Sequence, residues 1–467
     1  ISVTLKSPEE RWRWVRNGFE LIRDKGIPLN PRNTQLYREL AWILFHKVGD
    51  FMDDWHFYYK LQFALMMEDI LGRPPEGFVR PGVVAGAFYR DYDYASLANA
   101  PLRFEELAKD AAVAAFCDRL KQFGFDASAS GVFLGLIGTY KNDDFKLPDV
   151  QSAEQANRLH EFRKLMDAPG SLAARKALEH FWRANRLRNE MKLDPERIVE
   201  LQKGFDVTLD FRLAESHALY WANLGMEKGL TIKSNVDIHR LHTNRIEFFC
   251  LQKMFHRGRL EMSPAAKLGE PPLLSPDIRF VPVLWDTLLR DSKEYLKSEN
   301  EQNPVSVNFK TTFVGFGRTA ILRYHELGMK KEAQELFDYL AKGYPDPIYE
   351  KGMDGFLEEQ FKQDRELNDY RVVLARIEAM ITRGLVNYGY GEDEEAVRFL
   401  ARAKQIYDLY HRDIVSKRNA LKFSFKELMV KVVHERCGRM YRPTYELICK
   451  KIGVEPLKDT TTAPAEP

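Results

Sequence analysis

Four side chains around one turn of the chain are of the types that bind divalent metal ions. They are His46, Asp53, Asp54 and His56. Imidazole nitrogens and carboxylate oxygens are common ligands of such ions. However, Asp53 and Asp54 fall where a helix is predicted to begin, and acidic residues there accept hydrogen bonds from free backbone N–H groups. The pattern therefore favours capping and packing over a metal site, and it indicates no cofactor.

Two further pairs of polar residues give weak signals for chemistry. His239 and His242 are one helical turn apart, which suits two metal ligands, but no HExxH motif and no fixed third ligand accompanies them. A surface or interface helix is the favoured interpretation of this pair. Glu215 and His217 are two residues apart and point in different directions on a helix, which argues against a catalytic pair.

Motifs for nucleophilic catalysis are missing from the chain. It contains no Gly-x-Ser-x-Gly segment, no Cys/His signature and no paired-carboxylate motif. The sequence therefore predicts a protein that is not an enzyme. One alternative stays open, because catalytic carboxylates can lie far apart in sequence. An all-α hydrolase or lyase built as an (α/α) toroid would show the same helical periodicity.

The elements that position these side chains are predicted most clearly by a segment that begins at Tyr324. Gly328, Ala333, Phe337 and Pro345 follow it at the spacing of a tetratricopeptide-type helical hairpin. Gly328 suits the tight turn, Ala333 lets the second helix lie close to the first, and Phe337 fills the space between them. Pro345 then ends the second helix.

Parts of the same pattern recur in two other segments. The matching positions are Tyr37, Leu40, Ala41 and Gly49 in the first segment, and Gly391, Ala396 and Ala403 in the second. A repeat of this kind cannot bury its apolar face alone and must stack on its neighbours. The predicted fold is therefore all-α, a tetratricopeptide-like α-solenoid of stacked helical hairpins. Such a solenoid has a concave groove that binds protein or peptide segments.

Length and charge limit the organisation of the chain and its partners. Its 467 residues exceed the size at which one hydrophobic core stops growing. The net charge of +2 gives no global attraction for nucleic acid, which is an unlikely partner. The predicted parts are an N-terminal helical-repeat array (1–263), a proline-bearing linker (264–276), a C-terminal array with basic end helices (277–455) and a disordered tail (456–467).

Several segments together resemble a known group of proteins. They are Glu10–Gly18, Ile27–Pro31, Leu36–Trp42, Phe45–Lys47, Asp53–Asp54 with Tyr58–Lys60, and Glu215–Ala222. The resemblance is to a planctomycete-type bacterial group whose members are known at most as tetratricopeptide-like and have no assigned activity. It implies a natural protein that continues upstream of Ile1, through a further helical repeat, to an apolar membrane anchor. We expect the chain to lie on the exported side of that membrane.

The C-terminal helices carry a local excess of positive charge. From His411 to Lys451 there are eleven Lys or Arg residues against four acidic ones. The favoured interpretation is a solubilising cap on the last repeat. The functional alternative is a docking surface for an acidic protein or anionic lipid head groups, centred on Lys417, Arg418, Lys422 and Lys426. Nucleic acid is less favoured, because no aromatic-and-glycine recognition motif accompanies the charge.

Overall fold

Helices form most of the part of the chain that the computed structural model describes. That part comprises residues 5–50, 53–72, 92–142, 144–148, 152–229, 238–262, 272–295, 304–326, 329–363, 370–389, 391, 393–413, 421–438 and 442–457. The predicted all-α class is confirmed. Within these ranges, none of the helices combines the length and the apolar character that crossing a bilayer requires.

The α-helices are numbered here in chain order. The first eleven are α1 (Pro8–Leu21), α2 (Ile27–Leu29), α3 (Thr34–Trp42), α4 (His56–Leu71), α5 (Tyr94–Ala98), α6 (Phe104–Leu107), α7 (Ala111–Gln122), α8 (Ser130–Thr139), α9 (Ser152–Asp167), α10 (Pro169–Arg186) and α11 (Pro195–Phe205). The others are α12 (Ala214–Lys228), α13 (Ile238–Arg257), α14 (Phe280–Tyr295), α15 (Pro304–Glu326), α16 (Lys330–Gly343), α17 (Pro347–Glu350), α18 (Gly352–Gln363), α19 (Tyr370–Gly389), α20 (Asp393–Asp413), α21 (Phe425–Val432) and α22 (Arg442–Ile452).

Short π-helical segments and one pair of strands complete the described elements. The π-helical segments are Ile22–Gly26, Ile43–Gly49, Leu187–Met191 and Val433–Cys437, and each continues a preceding α-helix. The strands are β1 (Arg259–Glu261) and β2 (Leu273–Ser275), which pair antiparallel with Leu260 opposite Leu274. A π-helical segment often marks a functional site, because the wider turn changes where the next side chains point. The segment Ile43–Gly49 is the one that borders the candidate site described below.

Helix α3 packs on α12 and α13, which come much later in the chain. Leu40 and Ala41 on α3 are fully buried. Gly225 on α12 permits the close approach, because a side chain there would collide with Tyr37 on α3. The π-helical segment after α3 contacts α1, α4 and α12. Helix α3 itself thus packs mainly on later helices, while its π-helical continuation also contacts α4, the next helix in the chain; this differs from a simple hairpin of α3 with α4.

Local helical hairpins occur at the two C-terminal segments with the repeat pattern. Helices α15 and α16 pack together, and so do α19 and α20. Ala333 on α16 is fully buried and Phe337 is nearly so. Ala396 and Ala403 on α20 are fully buried, as small residues at a close helix contact should be.

The turn residues of these hairpins are only partly described. Gly391 has a φ of 81°, a left-handed conformation that glycine adopts without strain, between α19 and α20. Pro345 lies just beyond the end of α16, as predicted. Gly328 lies outside the described residues.

Among the described residues, buried apolar side chains form three clusters. The first runs from Trp12 to Leu357, the second from Leu107 to Trp182 and the third from Val373 to Cys449. The first cluster has members on both sides of 264–276, and part of that segment is strand β2. The boundary placed there stays a prediction. The predicted tail falls mostly outside the described residues, which end at 457.

One buried carboxylate joins the first cluster to the third. Glu326 on α15 pairs with Arg323 at 3.0 Å, with Arg402 on α20 at 3.3 Å, and with Arg376 on α19. Burial alone would raise the pKa of Glu326. The charges of Arg376, Arg323 and Arg402, with a hydrogen bond from Arg323, outweigh burial and lower the pKa to about 2.

This pKa gives a prediction about acid stability. The folded pKa of Glu326 lies below the unfolded value of about 4.3, so its contribution is full above that pH and is lost as the pH falls towards 2. The contribution at neutral pH is about 3 kcal/mol. We expect Glu326→Gln to lower the free energy of unfolding by about 3–5 kcal/mol at pH 7, since three buried or half-buried guanidinium groups lose their counter-charge.

Urea denaturation of Glu326→Gln between pH 7 and pH 3 measures this effect. The variant should show a flatter dependence of stability on pH than the wild type. Glu335→Gln on the exposed face of α16 is the matched control and should change little. Equal losses in the two variants would contradict a special role for Glu326.

Candidate functional site

A group of charged side chains lies where the π-helical segment Ile43–Gly49 meets α4, α12 and α13. Its members are Asp50, His56, Lys60, Glu215, Lys253 and Arg257. We call this group the charged cluster. Charged residues are almost never buried unless they are paired or functional, so each member requires an account of its partners.

Lys60 is a buried amine on α4. Its side chain is 7% exposed. The Nζ atom donates a hydrogen bond to the backbone oxygen of Asp50 at 2.6 Å and lies 3.2 Å from Nδ1 of His56, one helical turn earlier. Burial, followed by the charge of Arg257, lowers the pKa of Lys60. The neutral form, which is the nucleophilic form of an amine, is therefore favoured here more than in water.

Glu215 on α12 is the buried carboxyl group of the cluster. Its carboxyl lies against Gly49, where an added Cβ would come within 2.8 Å of Oε1. Burial raises the pKa of Glu215, and the charges of Arg257, Lys60 and Lys253 only partly oppose this. Over the described ranges, no cationic side chain lies within ion-pair distance of this carboxyl group. Glu215 is therefore an acid held near several cations without a direct contact.

Asp50 ties the end of the π-helical segment to α13. Its carboxylate lies 3.0 Å from Nζ of Lys253 and 3.7 Å from the guanidinium of Arg257. Lys253 and Arg257 are one helical turn apart, so both reach the same acceptor. This arrangement fixes the two cations on one side of Glu215.

Four aromatic rings form an outer surface on α3, its π-helical continuation and α13. The rings of Trp42 and His46 stack at 4.7 Å, and those of Phe45 and Phe249 stack at 6.1 Å. Trp42 also lies 6.0 Å from Phe45, which makes the four rings continuous. Trp42 is 42% exposed and Phe249 is 39% exposed. We call these four residues the aromatic surface.

The aromatic surface borders the charged cluster along α13. Phe249, Lys253 and Arg257 recur every four residues and therefore lie along one stripe of the helix. At the other side, His46 and Gly49 belong to the same π-helical segment. Exposed rings and partly buried charges thus meet in one region.

The four predicted metal-ligand candidates do not come together at one point. His46 belongs to the aromatic surface and His56 to the charged cluster. Asp54 is exposed. In the part of the chain that the structure describes, no group of three or more His, Cys, Asp or Glu side chains is arranged to hold a metal ion.

Asp53 caps the turn that leads into α4, as predicted. Its carboxylate accepts a hydrogen bond from the backbone N–H of Trp55 at 3.1 Å. It also pairs with Lys47 at 2.8 Å and Arg11 at 3.2 Å. Burial alone would raise the pKa of Asp53, but the hydrogen bonds from Lys47 and Trp55 and the two cations lower it. Asp53 thus satisfies a free backbone N–H group before α4, while α4 itself has no side-chain cap.

Glu215 and His217 face different surroundings, which agrees with their spacing. His217 is fully buried, and its Nε2 lies 2.8 Å from the backbone oxygen of Phe211. Burial lowers the pKa of His217 to about 3, so the ring is neutral. It therefore acts as a core residue, while Glu215 faces Gly49. The side chains of His239 and His242 lie outside the described residues.

A separate groove with a volume of 380 Å³ opens between α1, α4 and the end of α10. Its lining residues are Trp12, Arg16, Gln62, Leu65, Met66, Asp69, Ile70, Arg186 and Glu190. Arg186 pairs with both Asp69 and Glu190 at 2.7 Å, so the charged groups on this wall satisfy each other. The groove therefore offers a ligand fewer charged groups without a partner than the charged cluster does.

The predicted basic docking residues are only partly described. Lys422 and Lys426 are exposed near the start of α21. Lys417 and Arg418 lie outside the described residues.

Sequence patterns do not identify Lys60, Asp50 or Lys253 as members of a site. These residues meet only because α3 and its continuation pack against α12 and α13. The one available signal is Lys60 itself, which interrupts an apolar stretch of α4 between Tyr59 and Leu61. A lysine at such a position is either paired or functional.

Comparison with known proteins does not identify a function for this region. No protein-family model, no curated protein and no solved structure matches this chain. Function has to be argued from the side chains that the fold brings together.

The contact between Gly49 and Glu215 gives a prediction about the charged cluster. A methyl group on residue 49 would lie 2.8 Å from Oε1 of Glu215 and must displace the carboxyl group. We expect Gly49→Ala to lower the free energy of unfolding by about 1–3 kcal/mol. Gly18→Ala in α1 is the control, since an added Cβ there meets nothing within 4 Å and should be neutral or stabilising.

A double-mutant cycle in urea tests whether Glu215 is the cause. In a Glu215→Ala background the carboxyl group is absent, so Gly49→Ala should cost at least about 1 kcal/mol less than in the wild type. The same cost in both backgrounds would mean that Gly49 is required for its backbone and not for the space that Glu215 occupies.

Proposed function

We propose that this protein is a non-enzymatic scaffold that binds a segment of a partner protein through the aromatic surface. The observation that carries the proposal is the continuous set of rings at Trp42, Phe45, His46 and Phe249, two of which are well exposed. Exposed, rigidly stacked aromatic residues are the usual anchors of protein interfaces. The neighbouring charges of Lys253 and Asp50 supply polar groups for orientation.

The proposal includes a tetratricopeptide-like solenoid as the architecture. The hairpins α15–α16 and α19–α20, with Ala333, Ala396 and Ala403 at close helix contacts, support it. Helix α3 packs on α12. In a solenoid these two helices would be adjacent, so the helices that lie between them in the chain would form an insertion. Tethering to a membrane on its exported side, through a segment upstream of Ile1, also belongs to the proposal and rests on the family resemblance alone.

Substitution of the aromatic surface tests the binding role. We expect Trp42→Ser combined with Phe249→Ser to weaken partner binding by at least about tenfold, because buried aromatic anchors dominate interface affinity. A photo-crosslinking residue at position 249, used in cells of the source organism, should capture a specific partner. The affinity of that purified partner for wild type and variant is then measured by calorimetry.

The control is Tyr339→Ser, which removes an equally exposed ring on α16 and should leave the affinity unchanged. The free energy of unfolding of all variants is measured in parallel, so that a loss of fold is not read as a loss of binding. A partner that binds the double variant as tightly as the wild type would rule out the aromatic surface as the docking site.

A second candidate function, an enzyme of the lyase type, is favoured by the Lys60 amine. Its Nζ is buried, lies beside His56, and has Glu215 close enough to influence its charge. An amine in these surroundings can attack a carbonyl carbon, and loss of water then gives an imine. In this scheme His56 and Glu215 take up and return the protons of the addition and of the departing water.

Reductive trapping separates this candidate from the scaffold. The protein is incubated at pH 7 with small aldehydes and 2-oxo acids and with cyanoborohydride, which reduces an imine to a stable secondary amine. Enzyme chemistry predicts modification of Lys60 in preference to an exposed lysine such as Lys203, detected by peptide mass spectrometry. Modification of Lys203 without Lys60 would show that the Lys60 amine only supports the backbone at Asp50.

A further inference from the structure

The loop between α20 and α21 presents an exposed aromatic ring between two lysines. Phe423 is 44% exposed, and both Lys422 and Lys426 are exposed. The residues on either side point inward, since Leu421 is buried and Phe425 is half-buried. We call Lys422, Phe423 and Lys426 the basic tip.

The backbone of the basic tip is held in place from both ends. The hydroxyl of Tyr407 on α20 donates a hydrogen bond to the backbone oxygen of Phe423 at 2.9 Å. Ser424 and Glu427 form a reciprocal capping box that starts α21. Phe425 packs on the Tyr407 ring at 5.7 Å. These contacts hold the backbone at Phe423 and Ser424, while the ring of Phe423 is exposed.

The charges around the tip leave it positive. From Leu421 to Ile452 the chain has eight Lys or Arg residues and three Glu residues. The three acids are engaged locally: Glu427 in the capping box, Glu435 near Lys431, and Glu446 with Arg442. Within the described ranges, Lys422 and Lys426 form no ion pair. Both ammonium groups are thus available to an anionic partner.

We propose that the basic tip docks on a membrane surface that contains anionic lipids. At such a surface the aromatic ring inserts at the level of the head groups, while the flexible lysines reach the phosphates. An acidic protein segment fits less well, because it would use the lysines but leave Phe423 without an apolar partner. This docking is independent of the aromatic surface, and either can fail without the other.

Cosedimentation of the full chain with vesicles tests the proposal. Two vesicle types are compared, phosphatidylcholine alone and phosphatidylcholine mixed with phosphatidylserine. Wild-type protein should bind the mixed vesicles and release them as the salt concentration rises. Lys422→Gln with Lys426→Gln should weaken binding by about fivefold for each lysine, and Phe423→Ser by about tenfold.

Matched variants elsewhere on the surface control for net charge and apolar area. Lys109→Gln with Lys203→Gln removes two exposed lysines from other parts of the surface, and Leu102→Ser removes an exposed apolar side chain. These should bind the mixed vesicles as tightly as the wild type. Circular dichroism and urea denaturation of every variant confirm that the fold is retained.

Three results would overturn the proposal. The first is equal binding to the two vesicle types, and the second is no binding of the wild type to either. The third is an equal loss of vesicle binding in the tip variants and the matched controls. That result would mean that binding depends on overall charge and apolar area and not on the basic tip. Binding of polyglutamate that depends on Lys422 and Lys426, with no vesicle binding, would assign the tip to an acidic protein instead.

Discussion

The close approach of α3 to α12 is the constraint on which the first half of the molecule depends. Tyr37 reaches Trp221 and leaves no room for a side chain at Gly225, so the two helices can lie together only with glycine at that place. The contact joins segments that are far apart in the chain, and α13 packs against both helices. Loop-closure entropy opposes contacts of this kind, so many buried apolar residues must accompany them. The first hydrophobic cluster, from Trp12 to Leu357, supplies these residues.

The charged cluster is a consequence of the packing of α3 on α12 and α13. Once α12 and α13 lie beside the end of the π-helical segment, Glu215 and Lys60 have little contact with water. A buried ion normally needs a partner within hydrogen-bonding distance, and Lys60 obtains one from the backbone of Asp50. The carboxyl group of Glu215 fits into the space beside Gly49, and the charges of nearby cations act on it from beyond contact distance. The region therefore contains groups whose charge state depends on their surroundings, next to rings that are open to solvent.

The residue pattern predicted local features well and long-range ones poorly. Ala333 and Phe337 were expected at a helix contact, and they are buried there, because hairpin spacing depends only on neighbouring turns of the chain. Asp53 was expected as a cap for the same reason. The partner of α3 was not predictable, because nothing in its own spacing selects α12. The charged cluster was missed along with it, and the exposure of Phe423 depends on Tyr407, a contact that spacing does not reveal.

Glu326 limits how this chain could gain or lose a helical hairpin. Two of its three arginines come from the next hairpin, so α15 and α19–α20 hold one shared ionic centre. Deleting that hairpin would leave a buried carboxylate short of counter-charges, and copying α15 alone would create a second one. Repeat proteins whose units join only through apolar faces can add or lose a unit at little cost. Here the shared ionic centre opposes the loss of either hairpin without the other.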